Sequence, residues 1–177
     1  MKAHTPLAAL LLMLSALSLA QQARVEPQHP LTLAPLTLES TDSEPLSGST
    51  LWSARVPEQW NGTLLLHSRG WSPTAGDAAA APAQHIDMLL AQGYALAGSN
   101  YGAGGWSLAE AVPAQEQTIA AFAQRYGQPT RVIAYGYSMG GLVTTALAEK
   151  SAPSVDAGIA FCSSMGGALG MMNMGLD

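Results

Sequence analysis

The sequence is poor in charged side chains and has a single cysteine. Charged residues make up 11% of the 177, the formal net charge is −5, and lysine and arginine form no cluster. Proteins that bind nucleic acid neutralise phosphates with clustered basic side chains, so this composition argues against a nucleic-acid partner. The lone Cys162 excludes an intramolecular disulfide and leaves packing to stabilise the fold. We predict that Cys162 is a small apolar residue in a buried strand.

Two further absences concern cofactors. The four histidines show none of the spacings that metal sites use, so no zinc or other metal is expected. The run Gly102-Ala103-Gly104-Gly105 lacks the glycine spacing and the following acidic partner of a dinucleotide-binding fingerprint. We therefore predict that the protein uses no cofactor.

The first twenty residues have the pattern of a secretory signal peptide. Lys2 precedes an apolar run of 13 residues from Leu7 to Leu19, and small residues lead up to Ala20. This run is too short to cross roughly 30 Å of hydrocarbon, so no stable membrane anchor is expected. We predict a secreted or periplasmic protein. Its expected parts are a signal peptide (1–20), a proline-rich arm with short edge strands at best (21–49) and one α/β domain (50–177).

Strands and helices alternate in that domain, and the hydrophobic content of 48% suffices for one sizeable core. Thr50–Val56 and Thr63–His67 are predicted to pair as a hairpin through the turn at Asn61-Gly62. The pattern then predicts a helix around 86–90, a strand at 94–99, a helical stripe at 119–126, a strand at 131–137, a helix at 139–150 and a strand at 156–162. Such alternation indicates an α/β fold with a mostly parallel sheet and flanking helices.

One motif in this pattern carries chemistry. Gly136-Tyr137-Ser138-Met139-Gly140 directly follows a predicted strand and opens a predicted helix. A G-x-S-x-G sequence in this setting makes a sharp turn, which holds the serine strained with its hydroxyl projecting from the sheet. Only small residues tolerate the crowding on either side, and Gly136 and Gly140 meet that requirement. We therefore predict Ser138 to be a nucleophile.

The order of elements and this motif together resemble the α/β-hydrolase superfamily, from roughly Leu51 to Cys162. The segments Gly93–Tyr101 and Gly105–Ser107 resemble a bacterial secreted subgroup of these hydrolases. The resemblance implies a serine hydrolase that acts on a small-molecule ester or related acyl bond through an acyl-serine intermediate. It also implies a sheet that continues beyond the strand at 156–162, so that this chain is the N-terminal part of such an enzyme.

The resemblance also assigns roles to individual residues. Ser138 is the nucleophile, and the backbone N–H groups of Met139 and Trp71 form the oxyanion hole. The segment Arg69-Gly70-Trp71 stands where the superfamily often has His-Gly-x. Tyr101 and Trp106 follow strands at the edge where α/β sheets bind ligands, so they are candidate pocket residues, with ordinary loop packing as the alternative.

The sequence departs from the superfamily after the serine. An acid and then a histidine are expected there, but only Glu149, Asp156 and Asp177 follow Ser138, and no histidine does. His67 is open to two interpretations, a displaced base or a packed histidine. Three functions therefore remain: an esterase-like hydrolase, a silent remnant or binding module, and a serine peptidase of prolyl-oligopeptidase type. The oligomeric state stays open, although an uncovered sheet edge near Cys162 favours association.

Overall fold

The computed structural model describes residues 38–150, 152, 154–163 and 165–174, and the structural statements below concern these residues. The predicted signal peptide (1–20) and residues 21–37 of the predicted arm lie outside the described residues.

The described residues form six strands and four helices. The elements are β1 (Leu38–Ser47), β2 (Thr50–Pro57), β3 (Thr63–Ser68), α1 (Ala83–Ala91), β4 (Ala95–Ser99), α2 (Leu108–Tyr126), β5 (Arg131–Tyr137), α3 (Met139–Ala148), β6 (Ala157–Phe161) and α4 (Gly167–Met174). The strands make one sheet in the order β1-β2-β4-β3-β5-β6. β1 is antiparallel to β2, and β2 is antiparallel to β4, whereas β4, β3, β5 and β6 run parallel to one another. Helices α1, α2 and α3 pack against the sheet.

The predicted hairpin between the strands at 50–56 and 63–67 is wrong. β2 pairs with β1 and β4, while β3 lies between β4 and β5 in the middle of the sheet. The Asn61-Gly62 turn does not close a hairpin, because Asn61 N–H donates to Gly93 O (2.8 Å) and Gly62 O accepts from Thr130 N–H (2.9 Å). A strand that is apolar on both faces gains more from this central position than from an edge hairpin.

The helices cover the two faces of the sheet. One core cluster joins Leu64 and Leu66 of β3 to Phe122 of α2 and Val143 of α3. The residue between them, Leu65, packs instead in a second cluster with α1. Because side chains alternate along a strand, these two clusters lie on opposite faces. The mostly parallel α/β sheet with flanking helices is therefore confirmed.

The two edge strands of the sheet are β1 and β6. Residues 38–47, which lie in the predicted proline-rich arm with short edge strands at best, form the ten-residue edge strand β1, with a register shift between Pro45 and Ser47. Proline is tolerated there because an edge strand leaves N–H groups unpaired. At the other edge every residue of β6 is exposed. Cys162 lies just beyond β6 and is exposed too, so the prediction of a buried strand position was wrong.

The face of the sheet beside α1 is only partly covered. An open groove of about 330 Å³ lies there, and its walls include Met88 and Leu89 of α1 together with Tyr135, Ile159 and Phe161 of the sheet. Tyr137 and Phe161 stack at its rim, with ring centroids 4.8 Å apart. None of the described helices is both long and apolar enough to cross a membrane.

Candidate active site

Ser138 occupies the turn between β5 and α3. Its backbone has φ 55° and ψ −123°, a conformation that residues with a side chain rarely adopt. Its N–H donates to Phe161 O and its carbonyl accepts from Gly141 N–H, both at 3.1 Å. The half-buried side chain makes no capping bond to α3. The backbone of Ser138 is thus fixed in a sharp turn between β5 and α3, and the role of its hydroxyl as nucleophile stays a prediction.

The two glycines of the motif are places where backbone meets backbone. A Cβ at position 136 would lie 2.4 Å from Gly140 O and 2.6 Å from Ser68 O. A Cβ at position 140 would lie 2.0 Å from Ser68 O. These separations are far below van der Waals contact. The close approach of β3 to the turn is therefore possible only with glycine at both positions.

The loop after β3 lies beside Ser138. A Cβ built on Gly70 would be 3.8 Å from the Cβ of Ser138 and 3.4 Å from Tyr137 O. Trp71, the next residue, is 55% exposed. Met139 opens α3 with a fully buried side chain. Both backbone groups predicted for the oxyanion hole thus belong to segments that flank Ser138, and their role stays a prediction.

Tyr101 and Trp106 have different surroundings. Tyr101 is only 2% exposed, its hydroxyl donates to Arg69 O (3.1 Å), and burial raises its pKa well above the ordinary value. The buried Tyr101 side chain therefore supports the loop after β3 from the protein interior and has little exposed surface for contact with a substrate. Trp106 is 39% exposed and follows the antiparallel bridge between Ser72 and Gly105. A pocket-lining role is thus better suited to Trp106 than to Tyr101.

Two buried amides that the sequence analysis did not single out organise this edge. Asn100 accepts the N–H groups of Leu51 (2.8 Å) and Gly102 (2.9 Å) and donates to Gly76 O (2.7 Å). Gln115 of α2 donates to His67 O and to Ser68 Oγ. The signal was present in the sequence, because Gln115 interrupts an otherwise small or apolar stripe on the core face of α2.

His67 belongs to the sheet and not to the site. Its ring is 8% exposed, packs 5.4 Å from the ring of Tyr135 and lies with Nδ1 3.4 Å from Ala79 O. Burial lowers its pKa below the ordinary 6.5, the hydrogen bond to Ala79 raises it, and nearby His85 lowers it further. A packed histidine is therefore the better interpretation, and a displaced base is not supported.

Stability is expected to depend on pH through His67. Because its pKa is lowered in the folded state, the unfolded chain binds the proton more tightly. The free energy of unfolding should be at its full value above the ordinary pKa and fall as the pH drops below about 6.5. Urea unfolding between about pH 7.5 and about pH 5.5 measures this slope.

The matched variants for that measurement are His67→Gln and His85→Gln. Glutamine at 67 does not titrate but can still donate to Ala79 O, so the slope should flatten. Glutamine at 85 removes only the minor electrostatic contribution and should leave most of the slope. An equal slope in wild type and His67→Gln would contradict the prediction.

The chain resembles known hydrolases in sequence and in structure. No family model matches the chain. The chain is 31% identical over 121 residues to an o-phthalyl amidase from Xanthobacter agilis, a stretch that is 67% of this chain and 26% of the relative. The chain thus spans about a quarter of that relative's length.

Solved structures of hydrolases also resemble the chain, at lower sequence identity. An esterase from Pyrococcus furiosus superposes with a TM-score of 0.54 at 19% identity, covering 78% of this chain and 55% of the esterase. An acylaminoacyl peptidase from Pyrococcus horikoshii superposes with a TM-score of 0.53 at 17% identity, covering 74% of this chain and 24% of the peptidase. Together with the sheet order and the strained serine, these likenesses identify the chain as a protein of the α/β-hydrolase fold.

Proposed function

We propose that the chain carries the nucleophile of a serine hydrolase that cleaves an ester or amide bond through an acyl-Ser138 intermediate. The observation that carries this is the conformation of Ser138, at φ 55° and ψ −123°, between glycines that no other residue can replace without a backbone clash. Backbone strain of this kind costs about 1–3 kcal/mol and persists where function requires it. The amidase relative and the esterase and peptidase neighbours support a hydrolytic reaction.

The chemistry follows from the position of the hydroxyl. Ser138 Oγ attacks the carbonyl carbon, the π electrons move to the carbonyl oxygen, and a base takes the hydroxyl proton. The intermediate collapses when the bond to the leaving group breaks and that group takes up the proton. Water then cleaves the acyl-serine ester by the same two steps. Each step needs donors at the negative oxygen, which we assign to the Met139 and Trp71 N–H groups.

The base comes from outside the described residues in this proposal. His67 is buried in the sheet. His85 lies in α1, where it lines the groove on the face of β5 that is opposite α3. In this fold the acid and the histidine follow the serine in the chain. No histidine follows Ser138 in this sequence, so the proposal requires a base and an acid from elsewhere, and the leader-like segment at 1–20 supports a secreted or periplasmic location.

The surface beside Ser138 indicates the kind of acyl group. Trp71 and Trp106 lie on the loops after β3 and β4, and their side chains are 55% and 39% exposed. Exposed indoles on the loops at this edge of the sheet favour an aromatic or apolar acyl group, because they bury large areas at small entropic cost. We therefore propose small aromatic or apolar acyl compounds as substrates.

Covalent labelling tests the proposal on the protein itself. A fluorophosphonate should add once per chain, at the peptide that contains Ser138, as read by intact mass and peptide mapping. Ser138→Ala should take up no label. Ser163→Ala is the matched control, because Ser163 Oγ is a buried, unpartnered hydroxyl that reaches towards the first turn of α3, and it should label like wild type.

The competing interpretation, a silent remnant or binding module, predicts the opposite. For a silent remnant or binding module, the wild-type chain should fold cooperatively and take up no label. That result would contradict the view that the serine is activated in this chain.

A further inference from the structure

Two loops meet over the carboxyl edge of the sheet and behave as one unit, here called the loop pair (residues 69–73 and 100–105). Gly105 N–H donates to Ser72 O at 2.7 Å, and the two residues form an antiparallel bridge. A Cβ at Gly104 would lie 2.4 Å from Pro73 O, so the two backbones are in direct contact. The loop pair carries Gly70 against Ser138 at one end and joins Trp106 at the other.

Arg69 links the two halves of the loop pair. Its Nη2 donates to Asn100 O (2.8 Å) and Ala103 O (2.5 Å), and its Nε donates to Asn100 O (3.3 Å). Nη1 donates to Gly70 O at 3.0 Å within its own loop. The guanidinium carbon lies 4.4 Å above the ring of Tyr101. One side chain therefore contacts both loops and the buried phenol beneath them.

Only arginine can make this set of contacts. The guanidinium has five N–H donors in a fixed plane and no acceptor, so it satisfies several carbonyl oxygens at once and stacks on an aromatic face. Lysine would keep the charge but lose the fork. Among the described residues, Arg55, Arg125 and Lys150 form ion pairs. Arg69 instead contacts backbone carbonyl oxygens and the ring of Tyr101.

We infer that Arg69 is the positioning residue of the loop after β3, which carries the Trp71 donor proposed for the oxyanion hole. It fixes Gly70 and Trp71 against the sharp turn at residues 136–140 (the elbow) by tying them to the loop after β4, which is itself held by Asn100. These contacts of Arg69 with both loops, here called the clamp, belong to the structure itself. The role of the clamp in catalysis rests on the proposed function. Trp71 lies within the loop pair and Trp106 directly follows it, so Arg69 also holds the backbone segments that carry these two exposed indoles.

Hydrogen exchange tests the clamp without relying on activity. Arg69→Lys and Arg69→Met should each speed amide exchange in segments 70–72 and 100–103 by about tenfold or more, since a hydrogen bond from a charged group contributes about 1.5–3 kcal/mol. Exchange in α3 and in β3–β5 should not change. Arg55→Lys is the matched control, because Arg55 also donates to two backbone carbonyls, Thr41 O and Ala54 O, away from the elbow. It should leave the loop pair unchanged.

Labelling kinetics separate positioning from a general structural role. The maximal rate of fluorophosphonate addition to Ser138 should fall about tenfold or more in Arg69→Lys, while the concentration for half-maximal rate stays the same. Unchanged exchange in the loop pair of Arg69→Met would overturn the inference. Faster exchange throughout the chain in both variants would also overturn it, because it indicates a loss of overall stability. If folded wild type takes up no label, the proposed function fails, and the exchange data alone decide on the clamp.

Discussion

Gly140→Ala is expected to lower the free energy of unfolding by about 3 kcal/mol or more and to abolish labelling at Ser138. The new Cβ would lie 2.0 Å from Ser68 O and 2.7 Å from Arg69 O. Both obstacles are backbone atoms at the end of a central strand, and Gln115 of α2 holds the Ser68 side chain. Neither can retreat by a rotamer change, so the turn itself has to move.

A second helical glycine provides the control. Gly170 lies in α4, and a Cβ there would meet nothing within 4 Å. Helix propensity alone favours alanine over glycine by about 1 kcal/mol at such a site. Urea unfolding should therefore show opposite signs: Gly140→Ala destabilised, Gly170→Ala unchanged or slightly more stable. A Gly140→Ala variant as stable as wild type would show that β3 and the elbow can separate, and the close-approach argument would be wrong.

The sequence predicted those features that depend on neighbouring residues. The G-x-S-x-G motif specified a strand, a strained turn and a helix within a few positions, and the structure has β5, Ser138 and α3 there. The two glycines were identified from the motif, although the crowding at Gly140 comes from Ser68 and Arg69 at the end of β3, and only part of the crowding at Gly136 comes from the turn itself. The alternation of strands and helices likewise predicted the fold class.

Features that depend on distant residues were missed or wrong. The hairpin prediction failed because strand order is decided by burial of the whole sheet, and β4 pairs with both β2 and β3. The contacts of Arg69 with residues 100 and 103 span 31 and 34 positions, and no local pattern encodes them. Tyr101 shows both effects: its loop position was predicted, but its burial under Arg69 follows from that distant contact.

Gln115→Leu is expected to be the most destabilising change outside the elbow. The Gln115 side chain is fully buried. Its Nε2 donates to His67 O (2.7 Å) and Ser68 Oγ (3.0 Å), and its Oε1 accepts from Ser99 Oγ (3.1 Å). Leucine is of similar size but leaves these buried polar atoms without that partner, at about 1–3 kcal/mol for each one left unsatisfied.

The expected loss is about 3 kcal/mol in the free energy of unfolding, measured by urea denaturation. Gln117→Leu is the matched control in the same helix, since Gln117 is exposed and accepts from the exposed Ser47 Oγ, and it should change stability by about 0.5 kcal/mol at most. Equal stabilities of the two variants would show that α2 is held by its apolar stripe alone. The predicted difference instead means that one buried amide anchors α2 to the ends of β3 and β4, and Ser68 at the end of β3 packs against the elbow of Ser138.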